Sequence, residues 1–206
     1  MHDIQRFEGG FLLTNSYLIA TPSGGHIMID APADADRWIE DQGITPKALV
    51  LTHQHFDHVL SARKIADLGV PIHAWSAFDR GLLLEETVRE WGMPFDVEEF
   101  PVHHELRDQE ELELDGLTFR LSHVPGHSPD SVVIFQPDAK ALFAGDTLFA
   151  GSTGRTDLPG GDHGLLMEGI RQKIYTLDPE VRVLPGHGPE TRVGVEAQTN
   201  QVVRAS

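Results

Sequence analysis

Short apolar runs, each cut off by glycine, proline or a charged turn, set the rhythm of the chain. Residues 11–20 and 26–30 read as two strands joined by the turn Thr21-Pro22-Ser23-Gly24-Gly25, an antiparallel hairpin. Residues 33–43 carry Trp38 and Ile39 amid charges and end in glycine, which suits a short surface helix. Ala48-Leu49-Val50-Leu51 reads as a buried strand. After it, Leu60, Ile65 and Leu68 with Ala62 and Ala66 form a helical stripe stopped by Gly69, and residues 70–75 read as a return strand. The order so far is strand, helix, strand, helix, strand.

The pattern is faint over residues 76–111. A helix is predicted around residues 80–91, followed by the break Gly92-Met93-Pro94 and an acidic stretch, and the segment reads as a connection with no chemistry of its own. Strands return at 111–114 and 117–121 around the turn Asp115-Gly116, at 131–135, at Ala141-Leu142-Phe143-Ala144 and at 181–184. Residues 164–177 read as a helix, and no fixed-period repeat is visible.

Candidate chemistry gathers where apolar runs end. Thr52-His53-Gln54-His55-Phe56-Asp57-His58 directly follows the Ala48-Leu49-Val50-Leu51 strand. Side chains two apart on extended backbone point the same way, so His53 and His55 can grip one metal ion. Asp57 and His58 lie further along the turn and face a different point, with Gln54 and Phe56 as spacers pointing away. One loop can therefore seed two adjacent sites. His127 follows Pro125-Gly126, which lets the backbone turn sharply and holds the ring at a fixed angle. Asp146 follows Gly145 at the end of another strand; its two oxygens could bridge two cations, although a lone Gly-Asp is more often a turn. His187 sits in Pro185-Gly186-His187-Gly188-Pro189. Asp30 closes a strand, where it could brace the metal loop or simply cap a helix. In the glycine-rich stretch 151–162, Arg155 and Asp157 can pair beside the site.

Composition narrows the classes. The 206 residues suffice for one domain with a real core, here taken as residues 1–206. A net charge of −16 argues against a nucleic-acid partner and against an anionic membrane surface. The chain has no cysteine, so any metal must use nitrogen and oxygen ligands. No stretch approaches the roughly 20 apolar residues of a membrane span, and the amino terminus does not resemble a signal peptide, so a cytoplasmic protein is expected. Of twelve histidines, His2, His26, His73, His103, His104, His123 and His163 lack the strand-end context and read as surface or satisfied-core residues.

In order and spacing, His53-x-His55-x-Asp57-His58, His127 in Pro-Gly-His, Asp146 in Gly-Asp-Thr and His187 in Pro-Gly-His-Gly-Pro resemble the ligand set of the metallo-β-lactamase-fold hydrolases. The Gly154-Arg155-Thr156-Asp157 loop and the Gly-His-Gly-Pro-Glu-Thr ending resemble the short glyoxalase II-like (hydroxyacylglutathione hydrolase-like) members. The resemblance implies an α/β fold, an αββα sandwich of two mixed β-sheets flanked by helices. It assigns His53, His55 and His127 to one divalent metal, Asp57, His58 and His187 to a second, and Asp146 to both. Zinc is the first expectation, and iron and manganese accept the same donors.

Paired cations acidify a bridging water, and the hydroxide attacks a carbonyl while Asp57 or Asp146 orients it. The implied reaction is hydrolysis of a thioester such as S-lactoylglutathione, whose thiolate leaves with little help from a general acid. Arg155 and Asp157 are candidate substrate-side residues. A rival reading is a persulfide dioxygenase with one iron on His53, His127 and Asp146. That family resemblance implies a cysteine before the loop glycine, where this chain has Thr153, and an Ala-His-Asp-Tyr segment where it has Pro185-Gly186-His187-Gly188-Pro189. Hydrolases of other esters or lactones on the same fold, and a non-catalytic metal-binding module, are further alternatives.

Overall fold

Tyr17, Leu18 and Ile19 are all buried, although successive residues of a strand face opposite ways. Such a run requires a packed layer on each side. The structure, a computed structural model describing residues 3–92 and 96–204, supplies both layers. Met1, His2, Met93, Pro94, Phe95 and the final two positions lie outside the described residues.

The first of two six-stranded sheets holds, in spatial order, β1 (Ile4–Gly9), β2 (Thr14–Ala20), β3 (His26–Ile29), β4 (Ala48–Val50), β5 (Ile72–Ala74) and β6 (His104–Glu105). β1, β2 and β3 pair antiparallel, and β3 to β6 run parallel. Parallel neighbours need crossover connections. These are α1 (Ala35–Asp41) before β4, then α2 (Phe56–Val59) and α3 (Ala62–Asp67) before β5. A 3-10 turn at Arg80–Leu82 and α4 (Glu85–Glu90) precede β6.

The second sheet is built from β7 (Glu111–Leu114), β8 (Leu117–His123), β9 (Val132–Gln136) and β10 (Ala141–Gly145). After a small hairpin of β11 (Leu148–Phe149) and β12 (Ser152–Thr153), it gains β13 (Arg182–Pro185) and β14 (Thr191–Arg192), in the order β14-β13-β10-β9-β8-β7. Between β12 and β13 lie α5 (His163–Gly169) and a π-helical turn, and α6 (Val193–Thr199) follows β14.

Alternation along the strands divides the core into three. Leu18, Met28 and Leu49 pack outward against Ile39 and Ile65 of the helices. Ile19, Ile27 and Val50 face Phe119, Ile134 and Phe143 of the second sheet. Val133, Leu142 and Val183 turn outward onto Leu166, Ile170 and Val193. Helices, sheet, sheet and helices therefore form the αββα sandwich of two mixed sheets anticipated from the sequence. Each large side chain buried in these layers contributes about 1.5–3 kcal/mol from area removed from water.

Several local expectations are corrected. The strand expected from residue 11 starts at Thr14, because Leu13 takes a left-handed backbone (φ 54°) that no strand tolerates. Phe11 and Leu13 instead stand 74% and 60% exposed. β1, ahead of that turn, was not anticipated. The helix expected over 80–91 is broken at Leu84 (φ 59°) into a 3-10 turn and α4. The helix expected over 164–177 widens at its end, where the Tyr175 N–H reaches the Ile170 carbonyl at 3.0 Å. The loop 151–162 contributes β12, and the histidine stretch 52–58 ends inside α2 rather than in open loop.

Candidate metal centre

The sandwich places the carboxyl ends of β4, β10 and β13 together at one edge, and the chemistry-bearing residues leave from there. His53 and His55 follow β4 on extended backbone, while Asp57 and His58 lie on the single turn of α2. His127 comes from the connection between β8 and β9, Asp146 from the end of β10, and His187 from the end of β13.

Local bonding explains how each ring is aimed. Asp30, at the end of β3, accepts the Thr52 backbone N–H and hydroxyl at 2.8 Å each and the His58 Nδ1–H at 2.8 Å. A carboxylate can only accept, so the imidazole must be the donor. Of the two readings left open for Asp30, the brace is the one observed; α1 has Asp34 as its N-cap. The Thr52 hydroxyl in turn lies 3.1 Å from His53 Nδ1. His127 Nδ1 donates to the Arg155 carbonyl at 2.8 Å, and His187 Nδ1 to the Leu12 carbonyl at 3.1 Å. These bonds leave Nε2 of each ring free to face inward.

Gly186 is required by a close approach, since a Cβ there would run into the Asp146 carboxylate and the His58 ring. At Gly126 (φ +130°) a Cβ would meet the Asp162 carbonyl and the Leu166 N–H at 2.5 Å.

Buried polar atoms ordinarily find partners. His53 Nε2, His58 Nε2, His127 Nε2 and Asp146 Oδ1 have none among the protein atoms. Their surroundings form overlapping ligand groups: His53, His55 and His127; His53, His58 and Asp146; and Asp57, His58 and His187, the donor atoms of each lying within 4.8 Å of one another. Asp146 lies between them, 3.2 Å from His58 Nε2, 3.5 Å from His127 Nε2 and 3.3 Å from His187 Nε2. Imidazoles and carboxylates, converging in three overlapping threes with orphaned donor atoms, fit bound divalent cations.

Electrostatics divides the cluster in the same way. Burial, with the neighbouring rings of His58, His55 and His127, pushes His53 well below the ordinary imidazole range, and burial beside His127 takes His55 to about 3. Both are therefore neutral, the form a metal needs. Burial also opposes charge on His58 and His187, but the carboxylates outweigh it. Asp57 and Asp146 hold His58 well above its usual value, and Asp146 brings His187 to about 10. Burial works against ionisation of Asp57 too, yet His58 keeps its carboxyl down at about 2.

All seven residues singled out from the sequence thus meet at one edge. Arg155 and Asp157 also pair as expected, through bonds of 2.7 and 2.8 Å, with the guanidinium 5.4 Å from the centre of the Trp91 ring. Gln54 points away from the cluster, but it is no mere spacer. It accepts the Asp79 N–H at 3.2 Å and donates to the Ala77 carbonyl at 3.1 Å, which clips the segment before α4 to the ligand loop. That segment, to which no chemistry was assigned, lines the cavity over the cluster with Leu84 and Trp91, opposite Phe149. Two supporting residues went unnoticed in the sequence. Thr14 donates its hydroxyl to Asp57 at 2.7 Å, and Asp130 accepts the Gln54 N–H at 2.9 Å. Asp130 sits three residues past His127 in a polar loop, a weak signal of burial at best. Among the remaining histidines, His73 is buried and stacked on His104, and His123 stacks on Trp75; none of the three belongs to a ligand group.

The sequence profile of the metallo-beta-lactamase superfamily matches residues 9–187. The chain belongs to that superfamily. It is 35% identical over 193 residues to the hydroxyacylglutathione hydrolase GloC of Haemophilus influenzae, covering 90% of this chain and 91% of that one. Among solved structures, the BLEG-1 B3 metallo-beta-lactamase superposes with a TM-score of 0.88 at 34% identity, covering 97% of this chain and 98% of the other. TTHA1623 in a di-iron-bound form superposes with a TM-score of 0.82 at 34% identity, covering 97% and 100%. Among the described residues, no helix is long and apolar enough to cross a membrane.

Proposed function

We propose that the protein is a dinuclear-metal hydrolase of thioesters, with S-lactoylglutathione or a related hydroxyacyl-glutathione as its leading substrate. The observation that carries this reading is the pair of ligand groups on either side of Asp146, one of which, Asp57, His58 and His187, has no use in a one-iron site. The 35% identical hydroxyacylglutathione hydrolase supports the choice of substrate.

His53, His55 and His127 would hold one ion, Asp57, His58 and His187 the other, and Asp146 would touch both. Bound there, two divalent ions supply an acidified water and a sink for oxyanion charge. Zinc is the first choice from the donor set, and the di-iron form of TTHA1623 makes iron the second. The chain's own part is placement. Asp57 and Asp146 stay ionised and orient the attacking water through their oxygens. Thr14 fixes Asp57, Asp30 fixes His58, and the Arg155 carbonyl fixes His127. Water adds to the thioester carbonyl, the C–S bond breaks, and a carboxylic acid and a thiol leave.

The test combines elemental analysis of the purified protein with thiol release from S-lactoylglutathione. About two metals per chain, with release that is lost in D57A and H127A, is the expected result. One iron per chain with oxygen consumption on glutathione persulfide would replace the hydrolase with a dioxygenase. Metal without thioester turnover, but with lactone or ester turnover, would keep the hydrolase and remove the substrate.

A further inference from the structure

The walls of the cavity over the metal groups are poorly matched to a small polar acyl group. About 420 Å³ of space there is bounded on its apolar side by Leu84, Trp91, Phe149 and Leu158, with Ser152 and Thr153 as its uncharged polar side chains. A water occupies about 30 Å³ in the liquid, so a lactoyl group, no bigger than a handful of waters, would leave most of this apolar space hydrated.

Apart from the clustered imidazoles and carboxylates, Arg155 is the one charged side chain lining the cavity among the described residues. Its Nε and Nη2 already serve both oxygens of Asp157, and its guanidinium lies over the Trp91 ring. The cation is therefore matched before any substrate arrives. A chain of net charge −16 offers the two carboxylates of glutathione little else in this cavity.

The apolar wall is also built in advance. Leu84 and Trp91 flank α4, whose approach is clipped to the ligand loop through Gln54 and Asp79 at 3.2 Å. Phe149 stands on a hairpin anchored from below, where buried Glu196 accepts the Gly151 N–H at 2.9 Å. Walls held in place by hydrogen bonds give up little freedom when a ligand enters, so their burial counts toward selectivity.

We propose that this cavity receives an uncharged, apolar acyl group attached to the thioester carbonyl, with Leu84, Trp91 and Phe149 as its specificity-determining residues. The inference rests on the thioester reading above, keeps its reaction and thiol, and replaces the small hydroxyacyl group by a larger apolar one. The charged thiol half of the substrate stays at the open mouth in water, and the acyl half fills the apolar space. Each methylene buried there favours its substrate by about fourfold.

The experiment uses the metal-loaded full chain and a set of glutathione thioesters that share one thiol and differ in the acyl group: lactoyl, hexanoyl, phenylacetyl and succinyl. Thiol release gives kcat/KM for each. Hexanoyl and phenylacetyl should exceed lactoyl by about tenfold or more, with the charged succinyl group lowest. W91A and F149A should shrink the ratio of phenylacetyl to lactoyl, chiefly through KM for phenylacetyl, while metal content stays that of the wild type. Because Trp91 is 45% exposed, W91A stays readable even where F149A folds badly. Equal or faster turnover of lactoyl or succinyl would overturn the apolar-acyl assignment and leave the thioesterase standing. So would a loss in W91A and F149A that is the same for every acyl group. Failure to cleave any of the four would instead remove the thioester reading, and this inference with it.

Discussion

Asp30 and His58 are joined by a 2.8 Å hydrogen bond from the ring Nδ1 to the carboxylate, deep beneath the ligand cluster. Asp30 sits on left-handed backbone (φ 57°) and also holds the Thr52 N–H, so one residue after β3 sets both the start of the histidine stretch and the ring on its far side. Removing such a partner of a ligating histidine costs about 10–100-fold in metal affinity. D30A is expected to lose metal to a chromophoric chelator at concentrations the wild type resists, with D30N intermediate. Wild-type affinity in D30A would show that the ring is held by packing alone.

Gly186 gives a steric prediction. A methyl group at this position has no room between Asp146 and His58. G186A should lose about 1–3 kcal/mol of stability in urea unfolding and a large share of its bound metal. At Gly188 (φ +73°) a Cβ would meet nothing within 4 Å, so G188A carries only backbone strain and serves as the control. Equal behaviour of the two variants would refute the crowding argument.

The seven converging residues were legible because metal chemistry admits few residue types, and these stood at the ends of apolar runs whose layering the sequence also displays. Asp30 was visible but ambiguous, since a carboxylate after a strand looks the same whether it braces a ring or caps a helix. Leu84 and Trp91 were not legible as cavity walls. Their segment has no clean period, and the left-handed residue that splits it is a leucine, for which no sequence rule signals a break. Phe149 escaped notice because two-residue strands leave no alternation to read. β1 was missed because Ile4-Gln5-Arg6-Phe7-Glu8 forms a half-exposed edge of mixed polarity.

Asp130 should leave a signature in the dependence of stability on pH. Burial pushes its carboxyl from 3.8 up to about 6. Between those values the folded protein keeps the proton and the unfolded chain releases it, so folding stability falls as pH rises through this window. D130N keeps the shape and cannot ionise. A tenfold difference in proton affinity between the folded and unfolded chain is worth about 1.4 kcal/mol. Compared with D130N at each pH, in chelator so that metal plays no part, the wild type should therefore lose about 2–3 kcal/mol between about pH 4 and pH 7. Urea unfolding curves for both proteins across that range provide the measurement. A constant difference would place the Asp130 proton elsewhere.

Metal removal should be visible in thermal unfolding. Free metal at about 100 times its dissociation constant adds about 2.7 kcal/mol to the folded state. For a chain of this size each kcal/mol moves Tm by roughly 2–4 °C. Excess EDTA is therefore expected to lower Tm by roughly 5–10 °C, and zinc to restore it. An unchanged Tm, with metal shown to have left the protein, would mean that the cluster is held together without ions.

The stitch that closes the cluster has a bearing on how the protein matures. His187 is aimed by the Leu12 carbonyl, 175 residues away, and the Asn15 side chain bonds the carbonyls of Pro185 and Gly188 at 2.9 Å each. During synthesis His53, His55 and His58 emerge with most of the polypeptide still unmade. The end of β13 and the turn after it must dock against the amino-terminal loop before the last ring is oriented, and pairing segments so distant in sequence is slow. The complete set of seven candidate ligands is therefore assembled only in the finished, folded molecule.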